Sequence, residues 1–270
     1  MPVSASASCL DAVDIQSRER KGDTMTSSLH VEDIDYEAAG TTLKGYLAYD
    51  EQAKGERPGI VVVHEWWGQN EFPRERARML AQMGYTALAL DMFGEGRTAD
   101  NPDDAAKLAT GVMQNWEDSK ARFLAALDVL KNHSTVDSKR VAAIGFCFGG
   151  GVALQMAREG TDLDAVVSFH GSLGTERPAR SGAVKAKLLV LHGGADPFVD
   201  DEQLIAFKNE MEQVGADYRI VVYGGAMHAF TNPDATGNGE KFGLPLAYNE
   251  KADHKSWEEM EELFQKLFKR

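Results

Sequence analysis

A cysteine in a glycine-rich segment is the first residue of this sequence that could do chemistry. Cys147 lies in GFCFGGG, residues 145–151, directly after the apolar run VAAI. This is the Gly-x-nucleophile-x-Gly form of a tight turn between a strand and a helix, where Cβ atoms on the neighbouring residues would collide. The N-terminus of the following helix favours thiolate over thiol. We predict that Cys147 is a nucleophile. A buried structural cysteine is the alternative, and a phosphate loop is disfavoured because the lysine of a Walker motif is absent.

Two further candidates follow later apolar runs. Asp196 comes after KLLVLHG, and although an acidic residue there could cap the next helix, Asp200 or Asp201 lies closer to it. His228 lies in a glycine-rich segment after YRIVVY, where a lone histidine is usually just solvated. The order Cys147, Asp196, His228 is that of nucleophile, acid and base in α/β-hydrolases. The pattern predicts a triad in which Asp196 orients His228 as the base.

The segment HEWWG, residues 64–68, follows the apolar run GIVVV. From this position α/β-hydrolases supply the second backbone N–H of the oxyanion hole. We assign that donor to Trp66 and the first donor to Phe148, which follows the nucleophile. Glu65, buried among tryptophans, would have a raised pKa and could hold or take the thiol proton. A surface ion pair is the alternative for Glu65, and core packing is the alternative for Trp66 and Trp67.

A sheet must hold these residues, and the apolar pattern predicts one. Buried β-branched runs alternate with amphipathic stretches, as a single doubly wound, mostly parallel α/β domain requires. LHVEDIDYEA and TTLKGYLAYD predict an antiparallel pair at the sheet edge. Residues 102–132 predict one or two helices, and a loop is expected between YRIVVYGG and the last helix, HKSWEEMEELFQKLFKR. Ligands in such a fold lie at the carboxyl ends of the strands, where the candidate residues fall.

Composition excludes several classes of protein. The formal net charge of −13, from 29 Lys and Arg against 42 Asp and Glu, disfavours nucleic-acid binding. No run approaches the ~20 apolar residues of a membrane helix. Two isolated cysteines, Cys9 and Cys147, form no disulfide framework, so we expect a cytoplasmic protein. The composition predicts a disordered tail over residues 1–28 and one domain over residues 29–270.

From VVVHEWWG through GFCFGGG and HGGADPFV to MHAFTNP, the sequence resembles the dienelactone hydrolase family of α/β-hydrolases, over about residues 30–270. The resemblance implies that Cys147 is the nucleophile, His228 its base and Asp196 the orienting acid. It implies that Glu65 engages the resting thiol. The implied activity is hydrolysis of an ester or lactone through a thioester, because the family's prototype opens an unsaturated lactone of the carboxymethylenebutenolide type.

The sequence departs from the family where the prototype binds a substrate carboxylate with two arginines. Asn232 stands four residues after His228, and Arg97 lies about two positions later than its counterpart. Arg97 either binds a carboxylate or is a solvated loop charge. With Arg97, we place Trp67 and Phe93 in the substrate pocket. A broad-specificity carboxylesterase and a non-catalytic scaffold that binds a small ligand are the alternative functions.

No metal or organic cofactor is implied, because the chain itself supplies nucleophile, base and oxyanion donors. His64 is expected to be a satisfied structural histidine, since no Cys, His or Asp spacing around it is that of a metal site. The expected partner is a small-molecule ester or lactone, with neither nucleic acid nor membrane.

Overall fold

The strands and helices follow the apolar pattern of the sequence. A computed structural model describes residues 29–268, so the tail predicted over residues 1–28 lies outside the described residues. The strands are β1 (Leu29–Ala38), β2 (Thr41–Asp50), β3 (Arg57–Val63), β4 (Thr86–Ala89), β5 (Val136–Phe146), β6 (Ala165–Phe169), β7 (Lys187–Gly193) and β8 (Tyr218–Tyr223). The helices are α1 (Glu71–Gln82), α2 (Pro102–Gln114), α3 (Trp116–Lys131), α4 (Phe148–Arg158), α5 (Asp201–Val214), α6 (Ala235–Phe242) and α7 (Glu250–Phe268). Within residues 29–268, no helix has the length and apolar character needed to cross a membrane.

The strands form one sheet in the order β1-β2-β4-β3-β5-β6-β7-β8. β1 pairs with β2, and β2 with β4, in antiparallel fashion, whereas the other neighbours are parallel. The predicted antiparallel pair at the sheet edge is therefore confirmed. Parallel neighbours need crossover connections, which the helices supply. The result is the mostly parallel, doubly wound sheet of the predicted α/β-hydrolase fold.

Helices cover both faces of the sheet, which explains why its central strands are apolar almost throughout. Along β3, Val61 and Val63 belong to the core closed by α2, α3, α4 and α5. Ile60 and Val62 belong to the core closed by α1 and α7. All four side chains are fully buried. The two cores fix the strands, and thereby the loops at their carboxyl ends, where the predicted site residues lie.

Two helical regions compare differently with the sequence, which predicts one or two helices over residues 102–132 and a loop before the last helix. Residues 102–132 form two helices because Asn115, with φ −106° and ψ 55°, breaks the helical backbone between them. The segment expected to be a loop before the last helix contains α6. Its Gly- and Asn-containing sequence has low helix propensity, so tertiary contacts decide its conformation. Ala235 is buried, and the ring of Phe242 lies 6.0 Å from that of Trp67.

Candidate active site

Cys147 occupies a strained turn between β5 and α4. Its φ of 53° and ψ of −120° form a conformation that L residues rarely adopt. A Cβ on Gly145 would lie 2.1 Å from the carbonyl oxygen of Gly149, and one on Gly149 would lie 2.4 Å from that of His64. The turn therefore needs glycine at both positions, as the sequence pattern predicts. It holds a half-buried cysteine at the N-terminus of α4.

Hydrogen bonds connect the sulfur of Cys147 to His228, and His228 to Asp196. Nε2 of His228 is 3.0 Å from Sγ of Cys147, and its Nδ1 is 2.7 Å from Oδ2 of Asp196. Both residues are buried, and Oδ1 of Asp196 also accepts the backbone N–H of Phe198. Asp200, not Asp196, caps α5 with its side chain. The three residues predicted from their order along the chain are thus brought together.

The charge state of His228 depends on its two neighbours. Burial disfavours the charged imidazole, but the adjacent Cys147 sulfur and the hydrogen bond to Asp196 outweigh burial and raise the pKa of His228 to about 10. Its two partners thus favour the protonated imidazole, which has one N–H for each of them. An imidazolium beside a cysteine stabilises the thiolate, which is the reactive form of this side chain.

Glu65 is buried, with 3% of its surface exposed, and lies in the loop after β3. Its Oε2 accepts a 2.6 Å hydrogen bond from Nδ2 of Asn232, while its buried Oε1 has no hydrogen-bond partner among residues 29–268. Burial raises the pKa of Glu65 to about 7, although the Asn232 bond opposes the rise. Glu65 is thus a buried, titratable carboxyl group rather than half of a surface ion pair. Its hydrogen bond is to Asn232 and not to the sulfur of Cys147.

Both residues predicted to donate to an oxyanion line the same cavity as Cys147. Phe148 is the first residue of α4, where a backbone N–H has no acceptor within the helix. Trp66 follows Glu65 in a turn closed by a 3.1 Å bond from the N–H of Gly68 to the carbonyl of Glu65. The backbone N–H of Trp66 takes no part in that hydrogen bond.

His64 has its ring nitrogens occupied by the backbone. Nδ1 lies 2.6 Å from the carbonyl oxygen of Glu65, and Nε2 accepts the N–H of Met92 at 3.1 Å. The residue is fully buried, and burial lowers its pKa. His64 is therefore a neutral structural histidine, as the sequence analysis expects.

His170 is a residue of the site that was not predicted from the sequence. It follows β6, has a φ of 40° and is fully buried. Nδ1 lies 3.1 Å from the backbone nitrogen of Cys147, and Nε2 lies 2.8 Å from Oγ1 of Thr231. Its ring centroid is 5.4 Å from that of His228. The available signal was its position at the carboxyl end of a buried strand, the same signal that identified Asp196 and His228.

Cys147 opens onto a cavity of about 290 Å³. The side chains that line it are mostly apolar and include Trp66, Trp67, Met113, Phe148, Phe198 and Leu246. Trp67, predicted to be in the substrate pocket, thus lines this cavity. Phe93 is not among the lining residues and packs behind the pocket, with its ring 5.8 Å from that of Phe148.

Arg97 lies in a different cavity, which Lys107 and Arg122 also line. Its Nε donates a 3.1 Å hydrogen bond to the carbonyl of Gly94, and its guanidinium also donates to the carbonyl of Phe93. The side chain is thus folded back onto its own loop. The structure does not bring Arg97 to the cavity at Cys147.

Comparison with known proteins identifies relatives over most of the chain. The model of the dienelactone hydrolase family matches residues 43–268. Protein usf of Aquifex pyrophilus is 36% identical over 205 residues, which are 74% of this chain and 86% of that protein. Two solved structures each cover 89% of this chain and 99% of their own, with a TM-score of 0.83. One is a dienelactone hydrolase-like promiscuous phosphotriesterase from metagenomic libraries, 37% identical, and the other is m3DLH, 39% identical.

Proposed function

Because the chain belongs to the dienelactone hydrolase family, we propose that it hydrolyses uncharged carboxylic esters or lactones by covalent catalysis at Cys147. The observation that supports this reaction is the line of contacts from Sγ of Cys147 through His228 to Asp196, with distances of 3.0 and 2.7 Å. A cysteine held in a strained turn beside a buried, protonated histidine is suited to nucleophilic attack.

In the first half of the proposed reaction, the thiolate of Cys147 attacks the carbonyl carbon and a C–S bond forms. The backbone N–H groups of Phe148 and Trp66 hold the oxyanion of the tetrahedral intermediate. When this intermediate collapses, the C–O bond to the leaving group breaks and His228 gives its Nε2 proton to the departing oxygen. The product is a thioester on Cys147.

In the second half, His228 takes a proton from water, and the hydroxide attacks the thioester carbonyl. The C–S bond breaks, which restores the thiolate beside the protonated imidazole. Asp196 accepts a hydrogen bond from Nδ1 of His228 throughout and so keeps Nε2 directed at the reacting atoms.

Glu65 has the proposed role of controlling the protonation of the thiol, as the family resemblance implies. A carboxyl group with a pKa raised to about 7 exchanges its proton in the range where the enzyme would work. Its buried Oε1 has no hydrogen-bond partner in the described part of the chain and is the atom proposed to take part. Asn232 positions the carboxyl group through Oε2.

The proposed substrates carry no charge near the reacting carbonyl. Among the described residues that line the cavity, there is no Lys or Arg, while Glu65 adds a carboxyl group. Both ring nitrogens of His228 are already engaged by Asp196 and Cys147, so a carboxylate placed there would lose its hydration without a free cation to pair with, which is costly. Arg97 lies in another cavity, and the side chain of Asn232 already donates a hydrogen bond to Glu65. We therefore propose an uncharged ester or lactone in place of the carboxylate-bearing lactone of the prototype.

The test is pre-steady-state kinetics with p-nitrophenyl acetate. We expect a burst of about one equivalent of p-nitrophenol per enzyme, followed by slower turnover. Intact mass spectrometry of the quenched reaction should detect an acetyl group on Cys147, and Cys147→Ala should produce neither signal. Absence of acylation in the native protein would indicate a scaffold that only binds ligands. Rapid turnover of many alkyl esters would indicate a carboxylesterase of broad specificity.

A second comparison tests the charge of the substrate. We expect the p-nitrophenyl monoester of succinate to be hydrolysed with a kcat/KM at least about tenfold below that of p-nitrophenyl butyrate, because only the former brings a carboxylate into the cavity. Equal values would contradict the proposal of an uncharged substrate without affecting the proposed nucleophile.

Hydrolysis of phosphate triesters is a second candidate function. A structure that is 37% identical to this chain is described as a promiscuous phosphotriesterase, and phosphate triesters are uncharged, like the substrates proposed above. The covalent intermediate would contain an S–P bond in place of the thioester. We expect a diethyl aryl phosphate to release about one equivalent of phenol from the native protein and none from Cys147→Ala. No release from the native protein would exclude this activity.

A further inference from the structure

A second cavity adjoins the one at Cys147. It has a volume of about 810 Å³, against about 290 Å³ for the cavity that contains the sulfur. Both cavities are lined by Ala109, Met113, Phe148, Gln155 and Gly174. Ligand sites usually span about 300–1,000 Å³, so the cavity at the sulfur is at the small end of the range for a complete substrate.

The two cavities differ in character. Trp66, Trp67 and Leu246 line only the cavity at the sulfur, whose surface is largely hydrocarbon. The residues that line only the second cavity are largely polar and include Thr110, Gln114, Thr175, Glu176 and Arg177. A ligand that lay across both cavities would therefore need an apolar part and a hydrogen-bonding part.

The buried side-chain amide of Gln155, which lines both cavities, holds the neighbouring chain segment in place. Gln155 is 2% exposed, and its Nε2 donates a 3.0 Å hydrogen bond to the carbonyl of Arg177. Its Oε1 accepts a 2.6 Å hydrogen bond from Oγ1 of Thr175, and that Oγ1 accepts the N–H of Arg177 at 2.9 Å. The segment from residue 174 to residue 177 is thus fixed to α4, the helix that carries Cys147 at its N-terminus. A prearranged surface of this kind lowers the cost of binding.

We propose that the second cavity is a subsite for a polar, uncharged part of the substrate. The substrate is an elongated ester whose smaller, apolar half lies against Trp66 and Trp67. Its longer half carries ether, hydroxyl or amide groups and passes Gly174 into the second cavity. This inference rests on the proposed esterase function and specifies the substrate class of that same site.

The charges in the second cavity favour an uncharged group. Glu176 and Arg177 both line it and carry opposite charges. Arg177 also lies 3.3 Å from Glu117, in an ion pair whose side chains are 51% and 78% exposed. Glu176 and Arg177 are both exposed to solvent, so among the described residues that line this cavity there is no buried charge that would select an ionic ligand.

The test uses two series of esters. In one, butyrate is esterified with ethanol, hexanol or a triethylene glycol monoether. In the other series every compound is an ethyl ester, and the acyl group is a short chain, a longer alkyl chain or an oligoether chain. In one of the two series, we expect the oligoether compound to exceed the short one in kcat/KM by about tenfold, the effect of one or two net hydrogen bonds, and the alkyl compound to gain less. No oligoether advantage in either series would overturn the proposal.

A pair of glycine variants tests where the longer half lies. Gly174 lines both cavities, and a Cβ there would meet none of the described residues within 4 Å, so Gly174→Trp adds bulk at the junction without a clash at its Cβ. We expect this variant to lose the oligoether advantage. Gly237→Trp is the matched control, since Gly237 is also exposed with open space at its Cβ but lines neither cavity. It should keep the advantage. An advantage that survives in Gly174→Trp contradicts the proposed path.

A separate readout distinguishes this inference from the proposed function. If no ester is hydrolysed, the proposed function fails, and the same esters can then be tested as protectants of Cys147 against iodoacetamide. Better protection by the oligoether ester than by the short ester, with the difference lost in Gly174→Trp, supports the subsite. Equal protection overturns it.

Discussion

His170 accepts the backbone N–H of Cys147 through Nδ1, across 3.1 Å. A backbone N–H can only donate, so Nδ1 carries no proton and the neutral ring is protonated at Nε2, which donates to Oγ1 of Thr231 at 2.8 Å. Burial, and then the charge of His228, lower the pKa of His170 well below its usual value, so the ring stays neutral. Thr231 lies three residues after His228. One neutral imidazole thus joins the turn of Cys147 to the loop of His228.

This contact predicts that Thr231→Val lowers activity without unfolding the protein. The variant keeps the shape of the side chain but leaves the Nε2–H of His170 buried without an acceptor, which costs about 1–3 kcal/mol. Part of that cost should be relieved by movement of the two loops, which separates Cys147 from His228. We expect kcat/KM for p-nitrophenyl acetate to fall about tenfold. Alkylation of Cys147 by iodoacetamide, followed as a function of pH, should change as well.

Two variants separate positioning from general stability. Thr231→Ser restores the hydroxyl group and should recover most of the activity and the native pH profile of alkylation. Thr86→Val removes another buried hydroxyl, one that lies 2.7 Å from Oγ1 of Thr135 at the other end of the sheet. It should lower the melting temperature but leave the alkylation profile unchanged. If Thr86→Val and Thr231→Val shift the profile equally, His170 has no specific role in positioning the nucleophile.

Two replacements of Cys147 should distinguish the loss of its sulfur from the relief of backbone strain. Cys147→Ala and Cys147→Gly both remove the sulfur, so neither should form an acyl-enzyme. At a φ of 53°, however, glycine avoids the strain that an L residue bears. We therefore expect Cys147→Gly to be more stable than Cys147→Ala by about 1 kcal/mol, measured by urea unfolding. Equal stability of the two variants would show that the turn stores no strain at this residue.

The glycines of α4 next to Cys147 should differ sharply in their tolerance of a methyl group. In Gly149→Ala, the new Cβ would lie 2.4 Å from the carbonyl oxygens of Val63 and His64, so backbone must move. We expect a loss of at least about 3 kcal/mol in the free energy of unfolding. In Gly151→Ala the nearest atoms are 3.3 Å away, in Ser172. This control should stay within about 1 kcal/mol of the native protein, because alanine also favours the helix.

The parts of this site that sequence could predict are those marked by strand ends. Apolar runs locate the strands, and the residues that follow them in a doubly wound sheet must meet at one edge. The proximity of Cys147, Asp196 and His228 could therefore be predicted from the sequence. The antiparallel edge pair could be predicted from a local signal, namely two short extended runs separated by Gly40.

The parts that could not be predicted depend on contacts between distant segments. Asn232 binds Glu65 across 167 residues of sequence, and no local pattern encodes that pairing. His170 has a partner 61 residues away. The path of the Arg97 side chain depends on which carbonyl groups its loop presents, and the helix α6 forms against its own propensity. In each case tertiary packing, rather than local preference, decides the conformation.

Glu65 should make the stability of the protein depend on pH in a predictable direction. Burial raises its pKa from 4.5 to about 7, so the folded state binds the proton more tightly than the unfolded state. The stability gained from this proton is fully present below pH 4.5 and is lost as the pH rises through about 7. Over that window the loss is about 3 kcal/mol. Glu65→Gln cannot ionise, so its stability relative to the native protein should increase between pH 4.5 and 7.5.

The same variant should reveal whether Glu65 takes part in the reaction. Glutamine keeps the shape and the contact with Asn232 but exchanges no proton. If Glu65 controls the thiol, kcat/KM for p-nitrophenyl acetate should fall by about 10²-fold at pH 7, and alkylation of Cys147 by iodoacetamide should lose its dependence on pH near 7. Urea unfolding reports the effect of Glu65 on stability, and alkylation reports its effect on the thiol of Cys147. Because both are measured across pH 4.5–7.5, the two effects can be tested independently. A stability difference that follows the expected curve, with kinetics within about twofold of native, would mean that Glu65 is a buried carboxyl group with no part in catalysis.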